Sequence, residues 1–206
     1  MEFNGFTEDD FKTFEIEGLD QRMDAIRERI QPKFKAIGDA LADDISELTG
    51  NEMHIHIAQH MRRTKNPPKD TWMAFCHNKR GYKKHPHFQI GLFDDHLFIW
   101  LAYIYELPEK QEIASRFLNH LDDIKASVPD DYVVSLDHTK KEATKMKDVD
   151  LEQALTRFKN VKKAEFLVGR HIQPDSPLLK DGNAFLKEVK VTYSKLTPLY
   201  KVSMNT

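Results

Sequence analysis

Residues 85–105 read His85-Pro-His-Phe-Gln-Ile-Gly-Leu-Phe-Asp-Asp-His-Leu-Phe-Ile-Trp-Leu-Ala-Tyr-Ile-Tyr105, and they decide the fold. In 85–93, Phe88, Ile90 and Leu92 alternate with His85, His87 and Gln89. A period of two is a strand with one apolar and one polar face. Asp94-Asp95 is a tight turn. From 96 to 105 the chain is apolar on both faces, so the returning strand must be covered on both sides. Upstream, Met53, Ile55 and Ile57 alternate with His54, His56 and His60 over 53–60, and Thr71-Trp-Met-Ala-Phe-Cys-His77 forms a further strand. Four consecutive strands predict an antiparallel meander.

Helices surround this core. Thr7-Glu-Asp-Asp10 has the form of a capping box and opens a short helix to about Phe14. After Gly18, apolar residues recur at Met23, Ile26, Ile30, Phe34, Ile37, Leu41, Ile45 and Leu48, at helical steps of three and four. Pro32 should bend this helix or split it in two, and Gly50 should end it. Further helices are predicted at about 109–126, 150–160 and 183–197, with strands at 132–136 and 164–172. Residues 138–148 are polar and read as a surface loop. The expected architecture is α+β in one domain, residues 1–206: a mainly meandering antiparallel sheet of five to six strands with helices packed around it.

Composition narrows the class. The chain has 206 residues, 40% hydrophobic and 31% charged, which suits a folded domain. The single cysteine, Cys76, sits in an apolar strand and reads as an inert core thiol, so a reducing, cytoplasmic setting is expected. The N-terminus lacks a basic start and an apolar run, and the apolar stretch Leu97–Tyr105 is too short for a bilayer. No membrane association is expected. The sequence carries no signal for oligomeric state.

Charge is unevenly distributed. Between His54 and Gln89, Arg62, Arg63, Lys65, Lys69, Lys79, Arg80, Lys83 and Lys84 face one acid, Asp70. That segment is net +7, and since the whole chain is −2 the remainder is −9. Six of the ten histidines, at 54, 56, 60, 77, 85 and 87, lie in the same segment. Such a field bears on partners rather than on the fold.

These residues suggest three functions. The favoured reading is a non-catalytic binding domain for an anion: a phosphate-containing small molecule, a nucleotide or a nucleic acid. Arginine forks match phosphate bidentately, lysine adds point charge, Gly81 permits a sharp turn and Tyr82 can stack on a base. The candidate ligand-binding residues are Arg62, Arg63, Asn78, Lys79, Arg80, Tyr82, Lys83, His87 and Gln89. The second reading is a metal-independent phosphoesterase using histidines of the sheet face as acid and base. The third is a structural or self-associating protein. The pairs His54/His56 and His85/His87 have chelating spacing, but the cationic surroundings argue against a metal there, and no metal or cofactor is expected. Asp137-His138 lacks a serine or cysteine motif, so a triad is not supported, and no dinucleotide, Walker or His-Glu-x-x-His motif occurs. Because successive loops of a meander leave opposite ends of the sheet, 61–70 and 78–84 are expected about 20 Å apart. The Asn78–His87 end is the favoured one for a small ligand.

Several stretches carry a family resemblance: His60-Met-Arg-Arg-Thr-Lys-Asn-Pro-Pro-Lys-Asp-Thr-Trp72, Asn78-Lys-Arg-Gly-Tyr82 and Pro86-His-Phe-Gln-Ile-Gly91. Asp10-Phe-Lys-Thr-Phe14, Gly18-Leu-Asp-Gln-Arg-Met23, Pro129-Asp-Asp-Tyr132 and Val161-Lys-Lys-Ala-Glu-Phe166 extend it nearly end to end. The chain resembles the YktB-like family of uncharacterised proteins from low-GC Gram-positive bacteria. The resemblance implies a compact α+β fold in the bacterial cytoplasm and no particular activity.

Overall fold

The computed structural model describes residues 2–206. The four predicted strands are β1 (His54–Ile57), β2 (Thr71–Cys76), β3 (His87–Leu92) and β4 (Leu97–Tyr103), each antiparallel to the next. The sheet is wider than the five to six strands expected. It continues through β7 (Phe166–Ile172), β5 (Val133–Ser135) and β6 (Thr144–Lys145), in the order β1-β2-β3-β4-β7-β5-β6. β6 lies inside the stretch read as loop. Its two exposed residues give no apolar alternation to detect.

α1 (Glu8–Lys12) starts at the predicted box, where the Asp10 carboxylate accepts the Thr7 backbone N–H at 2.6 Å. The long periodic stretch becomes α2 (Leu19–Ala25), a π-turn (Ile26–Ile30) and α3 (Gln31–Thr49). Pro32 falls at the second position of α3. The widened π-turn just before it makes room for the ring without ending the helix. Gly50 closes α3 at φ 73°, a left-handed conformation that suits glycine.

The helix expected at 109–126 is split at His120 into α4 (Lys110–Asn119) and α5 (Leu121–Ser127). His120 leaves helical geometry at ψ 27°, and its Nδ1 lies 3.0 Å from Asp123 Oδ2. α6 (Leu151–Asn160) follows, capped by the Asp150 side chain at Gln153 N. α7 (Gly182–Met204) runs past Pro198, beyond the boundary expected at 197. Burial of Leu199 and Tyr200 offsets the cost of the proline, and Arg116 donates to the Val202 and Ser203 carbonyls at the helix end.

The helices pack on one face of the sheet. There Met73, Phe75, Phe88, Ile90, Ile99, Leu101 and Tyr103 join Phe34, Ile37, Phe185, Val189, Tyr193 and Tyr200 in one contiguous core. Tyr193 stacks against Phe88 and donates its hydroxyl to the Gln89 carbonyl at 2.8 Å. β4 is buried throughout, as its two-faced apolarity required. Its opposite residues, Phe98, Trp100 and Ala102, join Phe93, Ile104 and Leu167 in a smaller cluster. Among the described residues no helix packs on this second face; Ala143, Tyr82 and His138 reach it from loops.

Candidate functional site

The second face carries the polar half of the meander. Period-two alternation puts His54 and His56 of β1, Trp72 and Cys76 of β2, and His87 and Gln89 of β3 on the same side. Cys76 is buried, and burial raises its thiol pKa, so it stays protonated at neutral pH.

His87 is fully buried. Its Nδ1 lies 2.8 Å from the His85 carbonyl, and its Nε2 lies 2.8 Å from the Gln89 amide nitrogen. The amide donates to Nε2, so Nδ1 carries the proton and donates to His85. Burial pushes the His87 pKa down to about 4, against the opposing pull of the His85 carbonyl. The Tyr82 ring caps His87 edge-on, with centroids 4.9 Å apart, and leans on His56 at 5.6 Å. His56 Nε2 is held at 2.9 Å from the Asn78 carbonyl. His87 and Gln89 therefore lie beneath the site and hold Tyr82 from below. They are not at its surface.

The two cationic loops meet, contrary to the separation expected of a meander. They do leave the sheet at opposite ends. But residues 77–86 fold back along the face, and the Tyr82 hydroxyl accepts the Trp72 indole N–H at 2.9 Å. Two open grooves flank this contact. One, of about 750 Å³, is lined by His56, Asn78, Arg80, Tyr82, Lys83 and Lys84, with Glu106 at its rim. The other, of about 410 Å³, is lined by His60, Arg62, Arg63, Trp72, Tyr82 and Lys83. Tyr82 and Lys83 are walls of both. Lys83 lies 3.6 Å from Glu106, while Arg62 and Arg63 are exposed. Lys79 is exposed and lines neither groove.

His60 and Met61 stand out in the second groove. His60 has φ 52°, rare for a residue with a side chain and costly enough to need support. Its Nε2 is 3.0 Å from Thr71 Oγ1, and burial, with Arg63 nearby, holds its pKa down to about 4. Met61 is 88% exposed beside two arginines.

Beyond Trp72 lies a set of groups that sequence reasoning missed. The His138 ring sits edge-on to Trp72 at 6.3 Å. Its Nδ1 is 2.8 Å from the Glu165 carboxylate, which also accepts the backbone N–H groups of His138 and Tyr105. Burial lowers the His138 pKa, but Glu165, Asp70 and Asp137 together outweigh it and the net shift is upward. Asp70 is 8% exposed, and burial raises its pKa to about 6 despite His138 and Arg63. The pair Asp137-His138 was set aside for want of a nucleophile. Glu165 lies 27 residues away and gave no motif. Trp72 was visible only as a bulky strand residue.

A family model described as a domain of unknown function, DUF1054, matches residues 6–200. The chain belongs to the DUF1054 family. The protein ABC2405 of Shouchella clausii is 59% identical over 204 residues, covering 99% of this chain and 97% of that one. OB1420 of Oceanobacillus iheyensis is 56% identical over 203 residues, covering 98% of each. A protein of Listeria monocytogenes serotype 4b, Lm4b_01081, is 50% identical over 204 residues, with 99% of this chain and all of that one covered. All three are described as uncharacterised UPF0637 proteins, in agreement with the YktB-like resemblance. DUF1054 thus supplies a family and a near full-length match, without an activity. No helix among the described residues is long and apolar enough to cross a membrane.

Proposed function

We propose that this DUF1054 protein binds a phosphate-bearing ligand on the second face of its sheet, across the ridge formed by Tyr82 and Lys83. One observation carries the reading: the same tyrosine and lysine line two adjoining grooves and so unite both cationic loops. Arg62 and Arg63 supply planar forks for phosphate on one side, and Arg80 and Lys84 add charge on the other. Trp72 and Tyr82 offer aromatic surface for a base between them. The grooves are open rather than enclosed, which suits a nucleotide or a short nucleic-acid strand laid across the ridge. His87 and Gln89 serve by fixing the ridge, and Lys79 is not among the residues that line either groove.

Isothermal titration with pyrophosphate, ATP and a short single-stranded DNA tests this reading. At least one should bind at low salt and lose affinity steeply as salt rises, because phosphate contacts release counterions. If none of the three binds at low salt, the reading fails. A phosphoesterase built on the histidines of the sheet face draws less from this geometry. Both ring nitrogens of His87 are engaged, and a pKa of about 4 keeps it a neutral imidazole, with no imidazolium to serve as the acid at neutral pH.

A further inference from the structure

We propose that the smaller groove is a nucleobase subsite closed by Met61, and that the ligand of the ridge is a single-stranded nucleic acid. This ligand class lies within the phosphate reading and rests on it. Met61 differs from the other apolar side chains. It is 88% exposed, and no other large apolar residue among the described ones exceeds 44%. Single exposed apolar residues are ordinary, but this one is held out at a cost. Met61 and Arg62 form the tip of a turn in which the Arg63 N–H donates to the His60 carbonyl at 3.0 Å. His60 enters that turn at φ 52°, a backbone conformation that persists only where its surroundings enforce it. Two anchors do so. His60 Nε2 lies 3.0 Å from Thr71 Oγ1, and the His60 ring meets Trp72 edge-on at 5.5 Å. An apolar side chain held in water by a strained, anchored turn does not serve the core.

The place of Met61 indicates what it meets. It lines the groove of about 410 Å³ whose walls also include Trp72 and Tyr82. Methionine packs on ring faces by dispersion, and its polarisable sulfur favours aromatic contact. A base entering this groove lies against the thioether on one side and aromatic side chains on the other. Such contact tolerates any sequence, because every base has a π-face. Cations flank the subsite on both sides. Arg62 and Arg63 stand beside Met61, while Arg80 and Lys84 line the groove of about 750 Å³ across the ridge. ATP carries all its phosphates on one side of its nucleoside. An internal nucleoside of a strand carries a phosphate on each side, so a strand engages both sets of cations at once. In a duplex the base faces are already stacked, which leaves the single strand as the form that can enter.

Fluorescence anisotropy of the full chain with labelled oligothymidine and oligouridine decamers, and with abasic decamers of the same backbones, tests the subsite at low salt. The wild type should bind a base-bearing decamer about tenfold more tightly than its abasic counterpart, within the range for stacking one base. Met61→Ala should lose most of that preference. It should leave the abasic decamers and pyrophosphate unaffected and keep the salt slope, since no charge is removed. Met61→Leu should restore most of the affinity. The side chain is exposed, so both variants should fold, and circular dichroism checks that they do. Thymidine against uridine decamers tells DNA from RNA, and sensitivity to Met61→Ala with either supports the subsite. Wild-type affinity of Met61→Ala for base-bearing decamers, or equal binding of abasic ones, overturns it. Binding of pyrophosphate or ATP without binding of any decamer also overturns it and leaves the phosphate reading standing. If no probe binds, both fall together.

Discussion

The Trp72 indole N–H donates to the Tyr82 hydroxyl across 2.9 Å, and this bond ties the loop 77–86 back onto β2 near the end of the strand where the other cationic loop enters it. Tyr82→Phe keeps the ring over His87 and removes the acceptor. The variant should lose about 1 kcal/mol of stability, the net worth of a typical internal hydrogen bond. Urea denaturation measures the loss. Hydrogen exchange should show faster opening of residues 77–86. Unchanged protection there would mean that ring packing alone holds the loop.

The ridge makes a graded prediction about charge. Arg63→Gln and Lys83→Gln should each lower affinity for a short single-stranded DNA and reduce the salt slope by about one. Lys79→Gln should change neither, because Lys79 lines neither groove. If all three substitutions act alike, binding reads net charge and not the ridge.

Lys110 offers a test of the scaffold. Its ammonium is buried and donates to the Val161, Lys162 and Ala164 carbonyls at 2.7, 2.9 and 2.8 Å. These carbonyls lie between α6 and β7, and the Ala164 contact is fully buried. Lys110→Met keeps the packing volume and strands the three acceptors. We expect a loss of about 3 kcal/mol in equilibrium unfolding. A change under about 1 kcal/mol would show that water reaches them instead.

Gly169 pairs with Trp100 across β4 and β7, and a methyl group there would collide with the Ile99 carbonyl. The obstacle is backbone, which cannot swing aside. Gly169→Ala should separate the two strands and give insoluble or unfolded protein. A folded variant with unchanged thermal midpoint would refute that close approach.

Acid should destabilise the protein through buried neutral imidazoles. Burial holds His87 down to about 4, and burial together with His96, 4.0 Å away ring to ring, holds His171 down to about 3. Both lie below the ordinary 6.5, so the unfolded chain takes up protons first as pH falls. Stability is complete above about pH 6.5 and declines progressively toward the folded values. Urea midpoints should therefore fall between about pH 7 and pH 5, before most carboxylates titrate. His171→Gln should flatten the decline, and an equally steep variant would move its origin elsewhere.

The meander was legible because Phe88, Ile90 and Leu92 alternate cleanly and β4 is apolar on both faces. The helix through Pro32 was legible too, although nothing local announced the π-turn that accommodates the ring. β6 escaped because two exposed residues carry no period. At the site, the sequence located the cations but not their meeting. Strand counting assigns the loops to opposite ends of the sheet, and the fold-back of residues 77–86 is made of tertiary contacts, among them the Trp72–Tyr82 bond and the packing of Tyr82 on His56 and His87. His87 and Gln89 were read as ligand contacts because their strand face was polar. A polar face covered by its own loop becomes a foundation. Asp70, His138 and Glu165 come from three separate segments, so no spacing could have grouped them.

The ends of the sheet remain. β1 is a four-residue border strand bearing His54 and His56, and at the far border β6 is two residues long, Thr144 and Lys145. Each border offers a neighbouring molecule only a few main-chain partners, and each carries titratable or cationic side chains. A seven-stranded open sheet would otherwise be a template for amyloid-like stacking. Its tapered margins leave little open main chain for such stacking.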